Sequence, residues 1–290
     1  MKPSPFRYAR PASAQEAVAL LSQWEGLARV LAGGQSLVPM MHMRLVRPAL
    51  IVDVNRISGL DRIVTTGSET RVGALVRYSA LEDSALIAER LPLLTTATRH
   101  IGDRQVRNRG TIGGSLCQAD PTGEIPLVAL ALGARVVALS VRGEREIPVA
   151  ELIEGSYATT LAFDELVTEI RFPPAPESCT MVEVTRKHND FAVLAVCALG
   201  DPQTGGRWTG VRIALGGADE TPVLMTQAAM MLDGTTLDDG LIDAAAEHCS
   251  AAVDPPDDIR ASAEYRQHLV GEHVRRALRR LREERVTVDV

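Results

Sequence analysis

The sequence predicts an α+β chain of three units, and three observations carry that reading. Capped helices alternate with short apolar runs through the first half of the chain. Two glycine pairs, Gly33-Gly34 and Gly113-Gly114, each precede a Ser-Leu step and each read as a strand entering a tight turn. A proline-rich stretch, Pro173-Pro174-Ala175-Pro176, then marks a linker to a smaller carboxyl-terminal region. The expected boundaries are residues 1–175, divided into subdomains of about 1–56 and 57–175, and residues 176–290.

Taken in order, Ser13-Ala14-Gln15-Glu16 forms a capping box that starts a helix. Ala17, Leu20, Leu21 and Trp24 share its apolar face, and Gly26 ends it. Ala28 to Leu31 is a strand that delivers Gly33-Gly34. Val38 to Leu45 is a short crossover helix, and Leu50 to Val54 a second strand. This β-α-β-type unit puts the glycine turn at a strand's carboxyl end, where ligands settle in α/β sheets. In the second unit Thr70 to Val76 is a strand. Ser79-Ala80-Leu81-Glu82 reads as another capping box, opening a helical stretch towards Leu94. The basic segment Arg99 to Arg109 reads as irregular, with Val106 to Arg109 leading into the second glycine pair. Leu127 to Leu132 is a buried helix ended by Gly133, and strands are expected at Arg135–Leu139, Glu146–Ile147 and Leu166–Phe172. Beyond the linker, Ala192–Leu199 and Gly210–Leu215 form a smaller sheet. Ser262 to Glu284 is a long helix with Tyr265, Leu269, Ala277, Leu278 and Leu281 on its apolar side. Its arginine-rich end suits the negative pole of the helix dipole.

The glycine pairs carry the chemistry. Glycine admits positive φ and leaves no Cβ between its N–H groups and an approaching oxygen. Successive N–H groups in such a turn make an anion-binding concavity. Two similar turns point to two loops gripping one diphosphate. Neither is the common dinucleotide fingerprint, which needs G-x-G-x-x-G and an acid about twenty residues on. Asp53 stands near that distance, but at the end of a strand and without the third glycine. No G-K-[ST] follows either pair, so a Walker loop is excluded.

Composition narrows the rest. A chain of 290 residues folds without staples. Its net charge of −6 and 3% aromatic content disfavour nucleic acid, which needs basic surface and stacking rings. Met1 to Phe6 has no apolar signal region, and no apolar run reaches the ~20 residues that span a bilayer, so a cytoplasmic location is expected. Cys117, Cys179, Cys197 and Cys249 lie too far apart for a zinc knuckle or an iron–sulfur cluster. The histidines show no metal-ligand pairing.

The motifs Ala32-Gly33-Gly34-Gln35-Ser36-Leu37, Thr111-Ile112-Gly113-Gly114-Ser115-Leu116 and Ala119-Asp120-Pro121 together are familiar. With Arg186-Lys187-His188-Asn189-Asp190-Phe191-Ala192 and Ala261 to Arg266, the chain resembles the FAD-binding medium subunit of molybdenum hydroxylases. This is the group of carbon monoxide dehydrogenase and xanthine dehydrogenase. The resemblance implies a PCMH-type FAD-binding domain of two α+β subdomains and a smaller α+β carboxyl-terminal domain. It implies non-covalent FAD, with its diphosphate between the two loops. It implies partners as well: a small subunit with 2Fe–2S iron–sulfur clusters and a large molybdopterin subunit, in a dimer of heterotrimers. Electrons from substrate oxidised at molybdenum would cross the clusters to the flavin and leave to an external acceptor. No catalytic residue and no metal ligand is expected on this chain.

Under that resemblance the backbone N–H groups of Gly33, Gly34, Gly113 and Gly114 donate to phosphate. Ala32, Gln35, Leu37, Thr111 and Ile112 complete the two loops. Ser36 and Ser115 have two readings, a hydroxyl offered to phosphate or a self-capped turn. Glu124 matches an acidic FAD contact in the xanthine dehydrogenase branch, and its competing role is to meet a helix amino terminus. Asp120 either joins the site or shapes the turn before Pro121. Phe191 stands where relatives place a side chain against the isoalloxazine ring, and Lys187 could supply positive charge nearby. Val182 departs from a flavin-contacting lysine, Asn189 from a usual glycine, and His42 from lysine or asparagine. Two rival functions differ in kind: a self-sufficient flavin oxidase, which needs its own base or tether, and a flavin-free scaffold subunit.

Overall fold

The computed structural model describes residues 2–187 and 189–284. The first unit contains β1 (Arg7–Ala9), α1 (Ala14–Gln23), β2 (Ala28–Leu31), α2 (Leu37–His42) and β3 (Leu50–Asp53). Its three strands are parallel in the order β1-β3-β2, so both outer strands pair with Leu50–Asp53. Ser13 caps α1 by accepting from the Glu16 N–H at 3.1 Å, while the Glu16 carboxylate reaches back to the Ala12 N–H at 2.8 Å. Ala17, Val18 and Leu21 press onto Leu50, Val52 and Val54, which makes the unit's core.

The second unit is built on a sheet ordered β4-β5-β10-β6-β7, antiparallel throughout. Its first members are β4 (Ile63–Thr66) and β5 (Glu69–Gly73), followed by helices α3 (Tyr78–Asp83), α4 (Ala85–Arg90), α5 (Pro92–His100), α6 (Arg104–Arg107), α7 (Ile112–Gln118) and α8 (Glu124–Ala131). Then come β6 (Arg135–Ser140), β7 (Gly143–Pro148), α9 (Val149–Leu152), the small hairpin β8 (Ile153–Gly155) and β9 (Ala158–Thr159), and finally β10 (Leu166–Phe172). Every residue of α8 from Ile125 to Ala131 is buried, which is why this stretch is apolar all round.

Caps correct the expected layout here. Ser79 to Glu82 does not act as a capping box, because α3 already starts at Tyr78 and has no side-chain cap. Ser84 instead accepts from the Ile87 N–H and opens a separate helix, and Pro92 opens a third. The basic segment is not irregular, since α5 runs to His100 and Asp103 caps α6 through the Val106 N–H at 2.9 Å. No strand therefore leads into the second glycine pair. Thr111 accepts from the Gly114 N–H at 3.2 Å, so Gly113 and Gly114 lie in the first turn of a helix.

The third unit has an antiparallel sheet of β11 (Ser178–Val184), β12 (Leu194–Pro202), β13 (Trp208–Gly216) and β14 (Val223–Leu224). Helices α10 (Thr226–Leu232), α11 (Asp239–Ala252) and α12 (Ala263–Glu284) complete it. Strand β12 is apolar on both faces for a reason. Leu194, Val196 and Ala198 join the core under the three helices, while Ala195, Cys197 and Leu199 join the core of the second unit. The proline-rich stretch thus connects two units with a common hydrophobic layer.

On α12 the expected apolar side needs one change. Tyr265 is half exposed, and its neighbour Arg266 is the buried residue at 1% exposure. The Arg266 guanidinium donates to the Val193 and Gly217 carbonyls and pairs with Asp258 at 2.8 Å. The arginines at the far end are tied sideways as well as to the dipole. Arg275 pairs with Asp243 at 3.0 Å and Arg282 with Asp239 at 3.1 Å, both acids on α11. Removing Arg266 leaves the Val193 and Gly217 carbonyls without their buried donor, while Asp258 keeps the Arg260 and Ala261 N–H groups. Arg266→Ala is expected to destabilise the chain by about 2–4 kcal/mol in urea unfolding, the cost of two buried acceptors left unpaired.

Candidate functional site

A cleft of about 670 Å³ opens where the three units meet, within the ordinary range for small-molecule sites. Ala32, Gly33, Gly34, Gln35, Ser36 and Leu37 form one wall. Thr111, Gly113, Gly114 and Ser115 form the facing wall, with Asp120 and Glu124 behind them and Phe191 at the third unit's edge. Ile112 is instead a core residue at 0% exposure, and Lys187 is exposed outside the lining.

The two walls touch. A Cβ on Gly33 would be driven into the Arg109 carbonyl oxygen and would reach Gly110 Cα at 2.9 Å. Gly33 therefore matters for close approach, while Gly34, at φ +74°, supplies the left-handed turn. A polar clamp, which the sequence reading missed, holds this junction. The Asn55 amide donates to the Leu31 and Ala32 carbonyls at 3.2 and 2.9 Å, and to Asp53 at 2.6 Å. Arg77 then donates to Asn55 Oδ1 at 2.5 Å and to the Arg109 carbonyl. Asp53 thus anchors a loop from below, and it also accepts from the Tyr8 hydroxyl and pairs with Arg10 at 3.4 Å.

The loops differ in what they can donate. Among the described residues, the backbone N–H groups from Gly33 to Leu37 have no protein acceptor. They form a concavity with donors to spare, the arrangement that binds anions. The expectation that Gly113 and Gly114 donate likewise is corrected. The Gly113 N–H is held by the Ala74 carbonyl at 3.0 Å and the Gly114 N–H by Thr111 Oγ1. These glycines serve through missing side chains, since a Cβ at Gly113 would meet the Ala74 carbonyl at 2.8 Å. Ser36 makes no capping bond, and its hydroxyl is exposed at the cleft. Ser115 lies beside the Tyr78 hydroxyl on the facing wall. Asp120 shapes its turn, accepting from the Thr122 N–H and hydroxyl at 2.9 and 2.8 Å, and also from the Tyr157 hydroxyl at 3.3 Å.

Glu124 is the first residue of α8, and burial pushes its carboxyl up to about 8, assisted by the charges of Glu183 and Asp120. Burial likewise raises Glu183 to about 7 and the Tyr78 phenol to about 12. Cys117 also lines the cleft, with its side chain exposed. At the mouth, Phe191 is 55% exposed with the Arg260 guanidinium 4.7 Å from its ring centre. Asn189, beside it, adopts φ +61°, a left-handed conformation that asparagine tolerates better than most residues. His188 lies outside the described residues. Among the described residues, no group of three His, Cys, Asp or Glu side chains could hold a metal ion.

Residues 4–175 match the family described as the FAD binding domain in molybdopterin dehydrogenase. Residues 180–281 match the CO dehydrogenase flavoprotein C-terminal domain. The chain belongs to this family of FAD-binding molybdenum hydroxylase subunits. It is 40% identical to the nicotine 6-hydroxylase medium subunit of Paenarthrobacter nicotinovorans, over 96% of this chain and 98% of that one. It superposes on reconstituted CO dehydrogenase from Oligotropha carboxidovorans with a TM-score of 0.95, at 34% identity, over 98% of this chain and 99% of that one. It superposes on quinoline 2-oxidoreductase from Pseudomonas putida 86 with a TM-score of 0.93, at 32% identity and the same coverage.

Two outcomes follow from this geometry. Gly34→Ala is expected to cost about 1–2 kcal/mol in chemical unfolding, the strain of a left-handed non-glycine residue. Gly33→Ala should cost more, because the obstruction is backbone. The second outcome concerns pH. A carboxyl raised in the folded chain binds a proton that the unfolded chain releases, so its contribution is full below about 4.5 and lost as pH rises through 8. Wild type minus Glu124→Gln should therefore show stability falling over that window.

Proposed function

We propose that this chain holds FAD non-covalently in the cleft and acts as the electron-transfer subunit of a heterotrimeric molybdenum hydroxylase. The observation that carries the reading is the run of unpartnered N–H groups from Gly33 to Leu37, set against a second loop stripped of side chains. Bound there, FAD supplies the exchange of electrons between one donor and another acceptor, while the protein positions and tunes it. The Gly33–Leu37 amides neutralise the diphosphate, and the Ser36 hydroxyl adds a donor. Gly113 and Gly114 let the cofactor lie close against α7. Glu124 presents a largely neutral carboxyl to it at neutral pH, able to donate or accept a hydrogen bond. Phe191, steadied by Arg260, covers the mouth and limits access of water to the flavin ring.

The partners follow from the same reading: an iron–sulfur small subunit, a molybdopterin large subunit, a dimer of heterotrimers and an external electron acceptor, in the cytoplasm. No helix among the described residues is long and apolar enough to cross a membrane. Relatives named for nicotine, carbon monoxide and quinoline enzymes all match this chain over nearly its whole length, at 40%, 34% and 32% identity. That spread supports a substrate chosen on the molybdenum subunit.

Acid precipitation of the purified chain tests the cofactor. Yellow FAD in the supernatant is the expected result, whereas flavin held in the pellet means a covalent tether and no flavin means a scaffold. Anaerobically, aldehydes or heterocycles added to the isolated chain should leave the flavin oxidised. Bleaching without partners would make it a self-sufficient oxidase. Arg77→Met should weaken FAD binding by roughly 10–100-fold, as loss of a charged hydrogen bond of about 1.5–3 kcal/mol implies. Fluorescence titration with FAD measures it.

A further inference from the structure

Behind the cleft wall lies a cluster of ionisable groups that flavin binding alone does not require. Glu183, on β11, has a side chain only 2% exposed. Its Oε2 makes no hydrogen bond among the described residues. His100 Nδ1 stands 3.4 Å from that oxygen, on a ring 42% exposed at the end of α5. On the other side Glu183 is near enough for its charge to act on Glu124, which lines the cleft. A cleft carboxyl, a buried carboxyl and a solvent-accessible imidazole therefore follow one another from the interior to the surface.

We propose that Glu124, Glu183 and His100 form a proton-exchange path that couples entry of an anionic cofactor into the cleft to proton uptake from solvent. The inference rests on the reading of the cleft as an FAD site. A diphosphate brings negative charge to a wall that holds Glu124 with Glu183 behind it, so binding favours their protonated forms. Among the described residues, the other ionisable groups acting on the pair are Asp120 in the turn before α8, Tyr78 on α3 and Cys197 on β12. None is a fixed cation that would hold both carboxyls ionised. The proton enters at His100, passes to the Glu183 carboxylate and neutralises Glu124, so charge balances at each transfer.

The sign is fixed by the direction of both shifts. Near pH 6 the pair is already largely protonated and binding takes up little. Near pH 8 Glu124 is partly ionised, and binding should take up on the order of one proton, with affinity then falling towards tenfold per pH unit. Isothermal titration of the flavin-stripped full chain with FAD, in HEPES and Tris at pH 8 and in MES and bis-Tris at pH 6, reads that uptake from the difference in heats. The expected result is a buffer-dependent heat at pH 8, small at pH 6, and reduced in both Glu124→Gln and Glu183→Gln. Stopped-flow mixing with a pH indicator should show slower uptake in His100→Gln at unchanged stoichiometry. Identical heats in the two buffers at pH 8, or uptake unaltered in both glutamate variants, would overturn the coupling. Unaltered uptake kinetics in His100→Gln would remove the imidazole from the path. Wild-type chain that binds FAD without taking up protons refutes this inference alone, whereas failure to bind FAD at all refutes the reading of the cleft with it.

Discussion

Everything at this site depends on backbone meeting backbone at Gly33 and the Arg109 carbonyl. Two units of different architecture, a parallel sheet and an antiparallel one, approach there with no side chain between them. Any Cβ at that point would separate the walls and break the geometry of the amides that follow. The Asn55–Arg77 clamp exists for the same reason, since backbone alone has no lateral restraint. One arginine satisfies a carbonyl from the second loop and an amide that grips the first. The desolvation that lowers the Arg77 pKa is the penalty of putting a cation at this junction.

The loops divide the labour that sequence symmetry suggested they would share. The first keeps its N–H groups unpaired because α2 begins only at Leu37, leaving the preceding turn without internal acceptors. The second lies inside a capped helix turn, where Thr111 and the Ala74 carbonyl consume the donors. One loop supplies polarity and the other supplies room. Beside them burial raises the Glu124 carboxyl, which lessens its opposition to an anion.

Much of this was legible in the sequence. The strand and turn at Gly33-Gly34, the capping box at Ser13, the uninterrupted apolar helix ahead of Gly133 and the strands from Arg135 to Phe172 all rest on local chemistry, and they stand where expected. What was hidden depends on distant partners. Arg77 and Asn55 look like ordinary surface residues until the fold brings Arg109 and Ala32 to them. Tyr265 and Arg266 exchange places because a buried guanidinium with carbonyl partners outweighs a tyrosine that can stay half in water. The caps at Asp103 and Thr111 were local signals and could have been found, since each is an Asp or Thr three residues ahead of an N–H that needs an acceptor. Strand β11 gave little signal, because its paired registers are mixed in polarity.

The two-faced burial of β12 has a consequence for how such chains can be recombined. A strand whose alternate side chains serve two cores cannot be exchanged without disturbing both. Chimeras that join the first 175 residues of one relative to the remainder of another would pair mismatched surfaces on one side of that strand. Successful swaps should carry Ala195, Cys197 and Leu199 with the amino-terminal parent and Leu194, Val196 and Ala198 with the carboxyl-terminal one, a seam that alternates residue by residue.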